Sequence, residues 1–204
     1  MLLYLVRHGE TDWNRQRRIQ GTTDIPLNAT GREQAARTGA LLATREWDTV
    51  VASPLSRAVE TASIIAAEVG LPAPTTDDRL VERNYGEAEG LDFEELQRLF
   101  PDDTPVPGRE KRSAVAARAI EALMDIARRH PDEAVIVVSH GGLIRSVLRV
   151  VDPEGEHGMI TNGSVHSFRY DDGALSLIAF DDPIEAQSIE GEDLREQNPV
   201  EARK

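Results

Sequence analysis

The chain reads as an α/β protein built on a mostly parallel sheet that carries an antiparallel edge strand. Apolar runs of strand length alternate with stretches of helical period along most of its 204 residues. Residues 134–138 are nearly all aliphatic, as a central strand covered on both faces requires. Residues 164–170 and 175–180 flank Asp171-Asp172-Gly173, a hairpin signal that adds an antiparallel edge.

The elements follow in order. Residues 2–6 form an apolar strand that stops at Arg7-His8-Gly9, with Asn14 a little further on. Residues 19–28 have no period and contain Gly21 and Pro26, so they are a loop. Thr30-Gly31-Arg32-Glu33 has the spacing of a capping box and predicts a helix to about Ala43. A short β-branched strand at 48–52 leads to Ser53-Pro54, which as N-cap and first helical residue predict a long helix with Arg57 in its first turn. Residues 70–76, with Pro72 and Pro74, are a break. Residues 93–100 suit a short amphipathic helix and 101–108 a Pro-rich, acidic surface loop, while 115–129 show the clearest helical period in the chain. The strand at 134–138 stops at Ser139-His140-Gly141-Gly142, and a helix is predicted from about Leu143. Residues 181–204 are polar and acidic without sustained period. The expectation is therefore one domain over 1–180 followed by an acidic C-terminal tail over 181–204.

Composition narrows the function. The length suits one substantial core. With no cysteine, disulfides, thiolate zinc sites and cysteine nucleophiles are excluded, and no H-E-x-x-H pattern occurs, so no metal site is expected. No apolar run is long enough to cross a bilayer and no basic leader opens the sequence, which predicts a cytoplasmic protein that does not engage membranes. A formal net charge of −13 argues against nucleic acid as a partner. Arg7, Arg15, Arg17 and Arg18 nevertheless gather around the first strand end, so an acidic protein can carry a basic pocket for a small anion.

Strand ends are where an open α/β sheet binds its ligand. There Arg7 offers a planar fork of donors suited to a phosphoryl group, and His8 reads as a nucleophile or as an ordinary polar residue closing a strand. Arg57 sits where a helix N-terminus favours an anion, or is a surface arginine. His140 repeats the strand–His–Gly setting of His8, and that repetition weakens the bland alternative for both. Among Glu82, Glu87 and Glu89, spacing alone does not choose an acid. His130, His157 and His166 lack the strand–His–Gly setting, and His130 suits the negative end of a helix.

Taken together, Arg7-His8-Gly9-Glu10-Thr11, Asn14, Ser53-Pro54-Leu55-Ser56-Arg57-Ala58, Leu80-Val81-Glu82 ending in Glu89-Gly90, and Ser139-His140-Gly141-Gly142 resemble the histidine phosphatase superfamily. This is the family of cofactor-dependent phosphoglycerate mutases and their phosphatase relatives, and the resemblance runs from the first strand to about Phe180. It implies a three-layer α/β/α sandwich, phosphoglycerate mutase-like, with a phosphate pocket at the strand ends. It makes His8 the nucleophile that becomes phosphohistidine, with Arg7, Arg57 and His140 on the phosphoryl oxygens and Asn14 as a further donor. It makes Glu82 the general acid and base, and Gln20, Gly21 and the amide of Gly141 further contacts. Two arginines and a protonated His140 then balance a dianionic phosphate without a metal.

The resemblance serves two reactions. Glu82-Arg83-Asn84-Tyr85-Gly86 is mutase-like, since mutases carry an E-R-x-Y-G segment whose arginine and tyrosine contact substrate. Residues 91–108 are short and acidic where mutases have a longer, basic insertion. Arg109 interrupts a Gly-Glu-Ser segment frequent in the phosphatases; Arg109, Lys111 and Arg112 either bind a second acidic group or are solvated charges at a helix start, the better expectation. The expected activity is a metal-independent phosphomonoesterase acting on a small phosphorylated metabolite. A phosphoglycerate mutase primed by 2,3-bisphosphoglycerate is the alternative, and a non-catalytic phospho-ligand binding module is third. No other cofactor is expected, and a homodimer is the candidate assembly.

Overall fold

Alternation within the strands decides the layers. The computed structural model describes residues 1–102 and 104–182. Its strands are β1 (Leu2–Arg7), β2 (Thr49–Ala52), β3 (Thr75–Thr76), β4 (Ala134–Ser139), β5 (Val165–Asp171) and β6 (Ala174–Ala179). They form one sheet in the order β3-β2-β4-β1-β5-β6. The helices are α1 (Asp12–Arg15), α2 (Ala29–Leu42), α3 (Ser56–Glu68), α4 (Phe93–Leu99), α5 (Arg112–Arg129) and α6 (Gly141–Val151). Leu3, Leu5, Val51, Val135 and Val137 share one apolar layer with Val115, Leu123 and Ile126 of α5 and Leu143 and Val147 of α6. Tyr4, Val6, Val50, Ala52, Ile136 and Val138 share the other with Leu42 of α2 and Ala58, Ala62 and Ile65 of α3. A period of two thus sends neighbouring side chains to opposite helical layers, giving an α/β/α sandwich.

The parallel core is β3, β2, β4 and β1, and β5 pairs antiparallel with both β1 and β6. Only β5 therefore runs against the rest, as the hairpin signal predicts. β4 is central, and its register fixes the site: Val138 lies opposite Val6 on one side and Ala52 on the other. Three strands therefore end at one level, so Arg7-His8, Ser53 and Ser139-His140 arrive together. The turn after β1 is held by close backbone packing, because a Cβ on Gly9 would lie 2.2 Å from the carbonyl oxygen of Gly31 in α2. Loops over this end of the sheet share a small core of Ile19, Tyr85, Ala88, Leu96 and Val106.

Several local expectations shift. Asn28, not Thr30, caps α2, its side chain accepting from the Gly31 amide at 2.8 Å. Ser53 does not cap α3, whose N-cap is Leu55 without a side-chain bond; Ser53 is drawn instead to His140. α6 starts at Gly141, two residues before the apolar period begins. The short β3 lies within the stretch read as a break, because Thr75 and Thr76 align on Val51 and Ala52. Most of the acidic tail, residues 183–204, lies outside the described residues. No helix among the described residues is long and apolar enough to cross a membrane.

Candidate active site

His8 leaves β1 into a buried position where its Nδ1 lies 2.7 Å from the Gly9 carbonyl oxygen. A carbonyl only accepts, so Nδ1 carries the hydrogen and Nε2 keeps the lone pair. The His140 ring stands 5.1 Å away between centroids, reached from the end of β4. His140 Nε2 is 2.7 Å from Ser53 Oγ, and its buried Nδ1 has no hydrogen-bond partner among the described residues. Arg7 donates through Nη1 to the carbonyl of Ile160. Gly141, opening α6, leaves room for it, since a Cβ there would lie 3.3 Å from Arg7 Nε.

Arg57 is fully buried at the start of α3. Its Nη2 donates to Gly21 O at 2.7 Å and Nη1 to Thr23 O at 3.0 Å, so the loop after α1 holds the guanidinium through its carbonyls. That loop is tied in turn to Glu89, whose carboxylate accepts from the amides of Thr22 and Thr23, both at 2.9 Å. Asn14 and Gln20 are turned inward by Thr11, which donates its amide to Asn14 Oδ1 at 3.0 Å and its hydroxyl to Gln20 Oε1 at 2.9 Å. Arg57 Nε, Asn14 Nδ2 and Gln20 Nε2 are buried and lack partners among the described residues. Unmet buried donors are costly, so three of them around two histidines form a cradle for oxygen atoms of an anion.

Glu82 closes the far side. Its Oε2 accepts from the Gly142 amide in the first turn of α6 at 2.9 Å and its Oε1 from the Arg83 amide at 2.7 Å. The main chain behind it is clamped by Arg118 of α5, which donates to the carbonyls of Arg79 and Val81 at 2.7 Å and of Glu82 at 3.1 Å. Arg83 and Tyr85 stack, guanidinium carbon over ring at 5.3 Å. Glu82 and Tyr85 converge on Gly142, where a Cβ would lie 2.7 Å from Glu82 Oε1 and 2.9 Å from the Tyr85 hydroxyl.

Electrostatics separate the groups. Burial, reinforced by Arg57 and Arg7, holds His8 well below the ordinary imidazole range. Burial and then Arg57, His8 and Arg7 do the same to His140, so without an anion beside it the ring is neutral. The standing positive charge belongs to Arg7 and Arg57. Burial lowers Arg57 to about 10, with Glu82 and Asp24 opposing the shift, and it stays charged at neutral pH. Among the described residues no group of three His, Cys, Asp or Glu side chains is gathered as a metal ion would require.

Residues 3–183 match the description "Histidine phosphatase superfamily (branch 1)". The chain belongs to this superfamily. A Bacillus subtilis protein named as an uncharacterized phosphatase, PhoE, is 40% identical over 81% of this chain and 86% of its own. A metal-independent phosphoserine phosphatase of Arabidopsis thaliana is 33% identical over 92% and 84%. Bacterial 2,3-bisphosphoglycerate-dependent phosphoglycerate mutases also match, at 32% identity for that of Azorhizobium caulinodans over 76% and 84%. Among solved structures, a mycobacterial glucosyl-3-phosphoglycerate phosphatase superposes with a TM-score of 0.78 at 29% identity, over 88% of this chain and 98% of that one. The likeness establishes the superfamily of phosphatases and mutases and its fold.

For this superfamily member, all five residues singled out as catalytic meet at one end of the sheet. Asn14, Gln20 and Gly21 line the same pocket, Gly21 through a carbonyl already taken by Arg57. No local signal marks Ser53 as the partner of His140, or Asn162, whose Nδ2 donates to His8 O at 3.0 Å. Nor does one single out Arg118. Glu89 stood in the quoted motif, but its role needs the loop at 21–23 folded over it.

Proposed function

We propose that the chain is a metal-independent phosphomonoesterase that works through a phosphohistidine on His8. The observation that carries this is the hydrogen bond from His8 Nδ1 to Gly9 O, which leaves Nε2 as a neutral nucleophile beside two buried arginines. Nε2 attacks phosphorus, the ester P–O bond breaks, and the Glu82 carboxyl gives its proton to the departing alkoxide. The Glu82 carboxylate then takes a proton from water, whose oxygen attacks phosphorus as the N–P bond breaks. Arg7, Arg57, Asn14 and Gln20 hold the equatorial oxygens, and the arriving dianion draws a proton onto His140. Catalysis of phosphoryl transfer is mostly positioning and charge stabilisation, which this donor set supplies without a metal. The relatives named as phosphatases support the assignment, and one is named as metal-independent.

The mutase alternative is favoured by the Arg83–Tyr85 stack beside Glu82 and by the relatives named as mutases. It would keep the phosphoryl group on His8 and return it to a second hydroxyl. Phosphate release from p-nitrophenyl phosphate in EDTA separates the two. Release that is lost in His8→Ala is the expected result. No release, with interconversion of 2- and 3-phosphoglycerate after priming with 2,3-bisphosphoglycerate, transfers the assignment to mutase. Neither activity leaves the binding module.

A further inference from the structure

Ser53 follows β2 and donates its amide to Val138 O at 2.9 Å, so the parallel ladder sets it beside the end of β4. Pro54 has no N–H to offer a capping hydroxyl, and the Leu55 amide reaches Ser53 Oγ only at 3.4 Å. The hydroxyl turns to His140 instead, with Oγ 2.7 Å from Nε2. Both residues are fully buried, so the hydrogen bonds between them have to be completed by the protein itself.

One placement of the hydrogens satisfies both groups. Among the described residues Nε2 is the only acceptor within reach of the Ser53 hydroxyl hydrogen, while Oγ itself faces the Leu55 amide. Ser53 therefore donates to Nε2, and the neutral ring carries its own hydrogen on Nδ1. The opposite tautomer strands the Ser53 hydrogen and leaves a bare lone pair at Nδ1, two unmet groups out of water. His140 Nδ1 thus joins Arg57 Nε, Asn14 Nδ2 and Gln20 Nε2 as a buried donor without a partner among the described residues. Burial, then Arg57, His8 and Arg7, keep the ring neutral, so only this tautomer brings an incoming anion a hydrogen. A proton that the dianion then draws onto the ring goes to Nε2, and the hydroxyl turns to accept from it. Because a hydroxyl both donates and accepts, the same edge of the ring faces the anion in either charge state.

We propose that Ser53 is the positioning residue of His140, its hydroxyl fixing the tautomer that presents Nδ1–H to the phosphoryl oxygens. This rests on the phosphomonoesterase assignment above. The two histidines are then the same tautomer put to opposite uses. Gly9 O holds the hydrogen of His8 on Nδ1 and frees the Nε2 lone pair to attack, whereas Ser53 occupies Nε2 of His140 and frees the Nδ1 hydrogen to stabilise charge.

Nitrogen NMR spectra of the imidazoles in the full chain, at about pH 8 without added anion, read the tautomer directly. The His140 signals are assigned by their loss in His140→Gln. Wild type is expected to carry the hydrogen on Nδ1 and none on Nε2, and Ser53→Ala to move it largely to Nε2. Inorganic phosphate, titrated calorimetrically, is expected to bind Ser53→Ala about fivefold or more weakly, and kcat/KM for p-nitrophenyl phosphate to fall about tenfold or more. Ser53→Thr keeps the hydroxyl and is expected to restore the tautomer, with phosphate affinity within about threefold of wild type. Ser53→Cys, close in size with a weak donor, carries the same test where the alanine variant does not fold. A serine that only packs the strand end moves the melting temperature and leaves the tautomer and the phosphate affinity alone. That result, or a wild-type His140 with its hydrogen on Nε2, overturns the proposal. Loss of all phosphate release counts against the phosphomonoesterase assignment, while the spectra and the phosphate titration still decide the role of Ser53.

Discussion

Glu89 governs Arg57 without touching it. Its carboxylate accepts from the amides and hydroxyls of Thr22 and Thr23 and from the Tyr85 amide, and the loop so held presents Gly21 O and Thr23 O to Arg57. An amide in place of the carboxylate sets an NH2 group against donors, which costs about 1–3 kcal/mol where the group is buried. Glu89→Gln is therefore expected to raise KM for an aryl phosphate and lower kcat/KM about tenfold or more, since small misplacements of a phosphoryl-binding group are costly. Steady-state kinetics alongside a melting curve check this. A variant that melts earlier but keeps its kcat/KM shows that Glu89 serves only the fold.

Among the elements, α5 does more than cover the sheet. Its inner face supplies Val115, Ala119, Leu123 and Ile126 to the core, and nearly two turns from its start it sends Arg118 across to the carbonyls of Arg79, Val81 and Glu82. That clamp fixes the segment bearing Glu82 against the first turn of α6, where the Gly142 amide meets the carboxylate. Arg118→Met keeps most of the apolar stem and removes the donors. It is expected to lower kcat about tenfold or more, with a smaller change in KM, because Glu82 acts on the leaving group in the transition state. An aryl phosphate, whose leaving group needs little protonation, is expected to suffer less than an alkyl phosphate. Equal losses on both would show that Arg118 does not act through Glu82.

Across the whole molecule, an acidic chain with net charge −13 keeps three imidazoles neutral by burial. His166 is lowered to about 3, by burial and then by Arg145 and His157, and lies between Ser164 Oγ and the Asp181 amide, each at 3.0 Å. Below the unfolded value of about 6.5 the unfolded chain takes up protons that the folded chain refuses, so stability falls as pH drops. For His166 alone the loss between pH about 7.5 and about 5 is about 2 kcal/mol. Urea unfolding at the two pH values is expected to show at least that difference in the wild type and a difference smaller by about 2 kcal/mol in His166→Gln. An unchanged difference in the variant would place the acid sensitivity elsewhere.

How much was legible follows from range. A strand's alternation, the apolar period of α5 and the Asp-Asp-Gly turn are set by neighbours a few residues apart, so the sequence by itself determined the longer strands and helices, the α/β class and the reversed β5, while β3 and the strand order waited for the pairing of distant segments. His8 and His140 were legible for the same reason: each ends a strand and precedes a glycine, and parallel strands in register bring such ends together. Residue partners were not legible where they come from far along the chain. Arg7 bonds to Ile160 and Gly142 to Glu82, across separations of 153 and 60 residues. Ser53 reads as a helix cap until β4 brings His140 within hydrogen-bond distance. Arg109 reads as solvated until residues 107–110 are zipped onto 84–87, which half-buries it over the Tyr85 ring. Only the tertiary structure decided these, because burial and the pairing of polar groups depend on which distant segment arrives, and local sequence carries no record of that arrival.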